Sequence, residues 1–227
     1  MMVRLHSIVE GQTEEAFFNR VLVPHLSNQN VFPDVQLLSS KRVASRQQKG
    51  GWTSYASAKR HLDRWMKQDS HNDVWFTTMF DLYAIPEDFP ALADCRSIAD
   101  PFQRVQALET AFFNDVQNLG CYRFVPYIQL HEFEALIFVD PQKLDWEFLE
   151  NDEAISRLVA YSEKSPPEAI NDTPTGAPSK RIISEIPEYY FRKSSAGPVV
   201  VDKIGLAKLR ESCPHFDIWL KKLEALP

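Results

Sequence analysis

Apolar and polar positions along this chain follow two different periods. Segments 3–10 (VRLHSIVE) and 73–83 (DVWFTTMFDLY) are short, rich in β-branched and aromatic residues, and apolar on both faces. Strands covered on both sides look like this. Segment 35–40 (VQLLSS) reads as another strand. Segment 122–130 (YRFVPYIQL) reads as a fourth, running into 131–138 (HEFEALIF). Between them the spacing turns helical. Segment 13–26 (TEEAFFNRVLVPHL) opens with Thr13 as the expected N-cap and acids in its first turn. Segment 54–68 sets Leu62, Trp65 and Met66 on one stripe, and 100–118 forms a further helix. Strands that alternate with helices predict an α/β fold: a mainly parallel sheet flanked by helices on both faces.

After residue 140 the character changes. Segment 163–182 (EKSPPEAINDTPTGAPSKRI) is rich in Pro, Asn, Asp, Thr and Ser and is expected to be a long, mobile loop. Segment 206–226 closes as helical pieces interrupted near Pro214. This divides the chain into an α/β core over 1–140 and a C-terminal extension over 141–227 packed on it. No internal repeat is visible. Segment 39–51 (SSKRVASRQQKGG) is cationic, and is either a solvated loop or an arm that touches phosphate.

Composition narrows the classes. The 227 residues are 44% apolar, enough for a core, and no run approaches the roughly 18 apolar residues of a membrane span. No charged-then-apolar leader opens the sequence. Cys95, Cys121 and Cys213 are widely spaced and match no metal-ligand pattern, which is expected of reduced thiols in a cytoplasmic protein. A formal charge of -6 argues against broad nonspecific nucleic-acid binding, yet leaves room for a site where a divalent cation meets a phosphate.

The chemistry gathers at strand ends. Ligands of an open parallel sheet collect at the C-terminal ends of its strands. The first strand ends at Glu10, the third at Asp81, and the fourth leads into His131, Glu132 and Glu134. Glu14 lies one turn along the first helix, on the side of Glu10. Each acid has an ordinary reading. Glu14 and Glu15 suit a first helical turn, Asp81 suits a turn cap, Glu132 and Glu134 suit a solvated helix face, and His131 suits a core. Glu10 fits none of these, because a buried strand end offers a charge little. Carboxylates gathered at one edge repel unless a cation joins them, and oxygen-only ligands point to Mg²⁺ or Mn²⁺.

These residues carry a resemblance. IVEGQTEE resembles the first motif of Toprim domains, the metal-binding fold of topoisomerases, primases and OLD-family nucleases, and its Glu-Gly-x-Thr-Glu form is closest to the OLD nucleases. MFDLYAIPEDFP, PYIQLHEFEALIF, TPTGAPSKRI and CPHFDIWLKKLE together resemble an uncharacterised bacterial Toprim-like family whose members are often encoded beside an ATPase in phage-defence or mobile-element settings. The resemblance implies a Toprim-like, Rossmann-like core. It makes Glu10 a metal ligand or general acid/base, Glu14 the added second glutamate, and Asp81 the first acid of the Asp-x-Asp motif. Tyr83 stands where the second acid belongs. Glu132 and Glu134 match a later acidic motif, and either Lys180 or Lys203 takes the place of a downstream catalytic lysine.

Two functions follow as expectations. One is a Mg²⁺- or Mn²⁺-dependent nuclease that hydrolyses phosphodiesters, DNA in preference to RNA. The other is a noncatalytic module that binds nucleic acid or nucleotide, or regulates an ATPase; Tyr83 and the net charge favour it. The sequence has no P-loop, so a nucleotide-driven step needs a partner ATPase.

Overall fold

The computed structural model describes residues 2–38, 54–170 and 176–227. Five strands pair in parallel: β1 (Val3–Val9), β2 (Val31–Leu37), β3 (Val74–Asp81), β4 (Phe124–Val125) and β5 (Ile128–Gln129). Their order is β2-β1-β3-β4, with β5 following β4 along the same edge of β3. Val9 of β1 lies opposite Leu37 of β2 and Met79 of β3, so the three long strands end at a common level. That level holds Glu10 and Asp81.

Alternation within the strands divides the core in two. Val3, Leu5, Val9 and Met79 face one hydrophobic cluster, whereas Ile8, Val74, Phe76 and Phe80 face the other. The second face is covered by α3 (Tyr55–Gln68) and α5 (Pro101–Gln117), with the short α4 (Leu92–Cys95) between them in sequence. The expected stripe of Leu62, Trp65 and Met66 packs there. Ser54 caps α3 by accepting from the Ser57 amide, and Asp100 caps α5 by accepting from the Phe102 and Gln103 amides.

The first face is covered by α1 (Gln12–Phe17) and α2 (Val23–Ser27), together with chain drawn from after residue 140: α6 (Asp152–Ser162), α7 (Pro178–Glu185), α8 (Tyr189–Ile204), α9 (Leu206–Ser212) and α10 (Pro214–Glu224). Leu144, Ile182, Val200, Phe216 and Trp219 bury in one cluster with Val3, Leu5 and Phe17. Trp219 reaches the sheet itself and donates to Thr77 Oγ1 at 2.9 Å.

Several elements differ from their sequence pattern. Thr13 is not the cap of α1; Gly11 is, because the Glu14 side chain turns back to accept from the Gly11 amide at 2.9 Å. The expected helix over 13–26 is interrupted by a π turn at Phe18–Leu22, just before Pro24. Proline has no amide hydrogen for the i→i−4 bond, and the ladder widens there. The expected strand over 122–130 is two two-residue pieces, since Pro126 between them cannot donate to a ladder. The segment 163–182 is not one long loop. Its middle is held by Glu168, which is fully buried and accepts from the His215 and Phe216 amides at the start of α10, and α7 begins at Pro178. The remainder of that loop, 171–175, lies outside the described residues, as does the cationic stretch 39–51.

The three cysteines are free thiols, with Cys95 and Cys213 buried. Among the described residues no helix is long and apolar enough to cross a membrane.

Candidate functional site

A cavity of about 820 Å³ opens at the C-terminal ends of β1 and β3. Glu10, Glu14, Asp81, Glu132 and Glu134 all line it, so the fold brings together the five carboxylates singled out in the sequence. Lys180, Lys193, Tyr83 and Tyr190 also line it.

Three elements build the acidic wall. β1 and β3 lie side by side and deliver Glu10 next to Asp81: Glu10 Oε2 accepts from the Asp81 amide at 3.2 Å. The first turn of α1 adds Glu14, held by Gly11. A Cβ at Gly11 would sit 3.1 Å from Glu14 Oε2, so glycine here lets that carboxylate fold back onto the chain. The loop after β5 adds Glu132, which accepts from the Ser179 amide at 2.5 Å, and the 3₁₀ segment Phe133–Val139 adds Glu134.

The charges sit badly without compensation. Burial, and then Glu14, push the Glu10 carboxyl up to about 8. Burial, and then Glu134, push Glu14 up to about 7. Asp81 is raised well above the usual carboxylate range, first by burial and then by Glu14 and Glu10. Its Oδ1 is shielded from solvent and has no hydrogen-bond partner among the described residues. An orphaned carboxylate oxygen in such a place is a group waiting for a donor or a cation.

One cation side chain already answers part of this. Lys193 Nζ lies 3.2 Å from Glu134 Oε1, and the buried Tyr189 hydroxyl donates to the same oxygen at 3.3 Å. Burial raises Glu134 nonetheless, with Lys193 opposing. Tyr189, Lys193 and Gly197 recur every fourth residue on one face of α8, the face that meets Glu134. A Cβ on Gly197 would lie 3.0 Å from the Tyr189 hydroxyl and 3.3 Å from Phe133 Cε1. Gly197→Ala is therefore expected to lower thermal stability by about 1–3 kcal/mol through overpacking. A melting curve superimposable on the wild type would show that Tyr189 can swing aside and does not anchor Glu134.

The two lysines drawn from the sequence part company. Lys180, exposed on α7, lines the cavity. Lys203 does not: it stands ten residues after Lys193, about 15 Å along α8 at the helical rise, with its Nζ 4.5 Å from the centroid of the Trp146 ring. Lys193 and Tyr189 are the site residues that the sequence reading missed. The signal was the i, i+4 spacing of a tyrosine, a lysine and a glycine in a segment to which the sequence pattern assigned no element.

Tyr83 follows β3 by two residues and projects into the cavity at 43% exposure. Its hydroxyl lies 3.1 Å from His131 Nδ1, and His131 Nε2 lies 3.0 Å from the main-chain oxygen of Glu168. A carbonyl only accepts, so Nε2 carries a hydrogen; in the neutral ring Nδ1 then accepts from Tyr83. His131 is buried as the core reading expects, but at a φ of 67° that histidine adopts uncommonly.

The donor set is all oxygen and over-supplied with negative charge, which suits a hard divalent cation. Among the described residues no three His, Cys, Asp or Glu side chains converge to grip an ion as they stand. An ion held here takes one or two carboxylates and completes its shell with water or a ligand's phosphate oxygens, the manner usual for Mg²⁺.

No curated protein and no solved structure matches this chain. A family model described as Domain of unknown function (DUF4276) matches residues 9–224. That span contains every carboxylate of the cavity together with Lys180 and Lys193, and the chain belongs to the DUF4276 family.

Proposed function

We propose that the protein is a divalent-metal-dependent nuclease of Toprim type, which hydrolyses phosphodiesters of nucleic acid, DNA in preference to RNA. The observation that carries this reading is the Asp81 carboxylate, buried among four other acids at the open end of a parallel sheet with one oxygen unpartnered among the described residues. Glu10, Asp81 and Glu14 hold Mg²⁺ or Mn²⁺, flanked by Glu132 and Glu134. The ion, when bound, neutralises charge on the phosphate and activates a water. The chain's own part is to hold the carboxylates together against their repulsion and to set positive charge opposite them. Lys193 balances Glu134 inside the cavity, and Lys180 meets the phosphate at the rim. The resemblance in the sequence and the missing P-loop extend the proposal to an ATPase partner in a phage-defence or mobile-element system.

Tyr83 supports a second reading. A phenol hydrogen-bonded to histidine replaces an acid at a metal-binding position, as a noncatalytic subunit that binds nucleic acid or nucleotide can tolerate. Incubation with labelled DNA in Mn²⁺, with a chelator control, decides between the two. Cleavage that depends on metal and on Asp81 supports the nuclease; binding without cleavage at any metal concentration sinks it. The partner is tested by copurification from the native host, and an isolated chain whose full activity ignores ATP and every other protein removes the ATPase from the proposal.

A further inference from the structure

Part of the cavity's lining is aromatic and apolar. Tyr190, at the start of α8, lines it beside Lys193 and is 51% exposed, and Leu37 and Ile183 line it from β2 and α7. Next to Tyr190 and outside the cavity, Phe191 is 85% exposed, its ring perpendicular to that of Tyr190 with centroids 5.0 Å apart. Their neighbour Tyr189 fills the core, so the first turn of α8 sends one ring inward and two outward. Nothing in the packing of the described core uses those two rings. Large aromatics held in water at the mouth of a polar cavity mark a binding surface.

We propose that Tyr190 and Phe191 form a stacking platform for unpaired nucleobases, so that the site takes single-stranded nucleic acid with one nucleotide in the cavity and its neighbour on Phe191. This rests on the phosphodiester reading of the same site and names its substrate class. An unpaired base offers a free face to a side chain, whereas within a duplex both faces are covered by the stack. A cavity of about 820 Å³ is large enough for one nucleotide. Stacking also resolves the charge problem. A chain of net charge -6 has little long-range attraction for a duplex, and aromatic contact supplies affinity that Lys180 and Lys193 alone do not.

The test is fluorescence anisotropy of labelled oligothymidine of about twelve nucleotides, and of a blunt duplex of the same length, in Ca²⁺ with probe integrity checked on a gel. The single strand is expected to bind roughly ten-fold tighter than the duplex, and Tyr190→Ala or Phe191→Ala to weaken the single strand by about ten-fold each with duplex binding unchanged. Tyr190→Phe retains binding, because the ring and not the hydroxyl does the stacking. Both rings are exposed, so unchanged melting temperatures show that the variants fold. Duplex bound as tightly as single strand, or alanine variants that bind like the wild type, overturns the inference. Ring-dependent binding of single strands without any cleavage in Mn²⁺ supports it and removes the hydrolytic reading instead. A chain that binds neither probe overturns both.

Discussion

The Asp81→Asn chain is expected to lose the proposed DNA hydrolysis in Mn²⁺ by on the order of a thousand-fold or more, while its metal-free form melts at the same temperature as the wild type or above it. The two effects have one cause. Burial, Glu14 and Glu10 all oppose a charge on Asp81, and its Oδ1 finds no partner among the described residues. Asparagine keeps the shape and removes that charge, so the empty site loses repulsion and the fold loses nothing it depends on. An ion bound as proposed would lose a ligand, and a phosphate beside it the charge compensation that the ion would bring. Glu10→Gln acts in the same way, because Glu10 is hydrogen-bonded to the Asp81 amide and shares its cavity. Lys203→Gln serves as the comparison, since Lys203 sits over Trp146 away from the cavity. Hydrolysis that survives in Asp81→Asn but falls in Lys203→Gln would move the chemistry to a different part of the molecule. A steep fall in metal-free stability for Asp81→Asn would show the aspartate to be a structural group.

The sheet and its acids were legible in the sequence because their signal is local. Runs such as VRLHSIV and VWFTTMF are apolar on both faces, which only a covered parallel strand requires, and the acids that end them are then placed by the geometry of a parallel sheet. What was not legible depended on contacts distant in sequence. Lys193 belongs to the site only because α8 crosses α1 and the segment carrying Glu134, and no pattern within 189–204 announces that crossing. Composition misled at 163–182 for a similar reason. Its prolines and polar residues read as a loop, yet Glu168 anchors it by capping α10, whose amides lie almost fifty residues further on. The assignment of Thr13 as a cap failed on a closer competition: Glu14 stands three residues after Gly11, the spacing of a capping box, and that arrangement prevailed.

Without metal, the melting temperature is expected to fall as pH rises from about 5 to about 8, by roughly 10 °C across the window, and added Mn²⁺ is expected to reverse that slope. Glu10 and Glu14 carry folded-state pKa values of about 8 and about 7 against an ordinary 4.5. Below the ordinary value both carboxyls are protonated whether the chain is folded or not, and their contribution is fully present. As pH rises, the unfolded chain releases these protons first while the folded chain retains them, so the folded state binds more protons and stability declines until pH passes the folded values. Asp81 and Glu134 are raised as well and act in the same sense. The groups share one pool of charge, so a few kcal/mol for the whole cluster is the appropriate scale. Asp69, Asp73, Asp217 and Glu224 are lowered by their basic partners and act oppositely, but their contribution is lost only as pH falls through values below the ordinary carboxylate range. His61, held below its ordinary value by burial, adds an opposing slope. A divalent ion binds only the deprotonated carboxylates, so its stabilisation grows with pH and offsets the loss. Glu10→Gln and Glu14→Gln should each flatten the metal-free slope, because a glutamine has no proton to retain. A wild-type chain whose metal-free stability is level or rising between pH 5 and 8 would mean that these carboxyls do not share a buried cavity, and the metal-dependent reading would lose its physical basis.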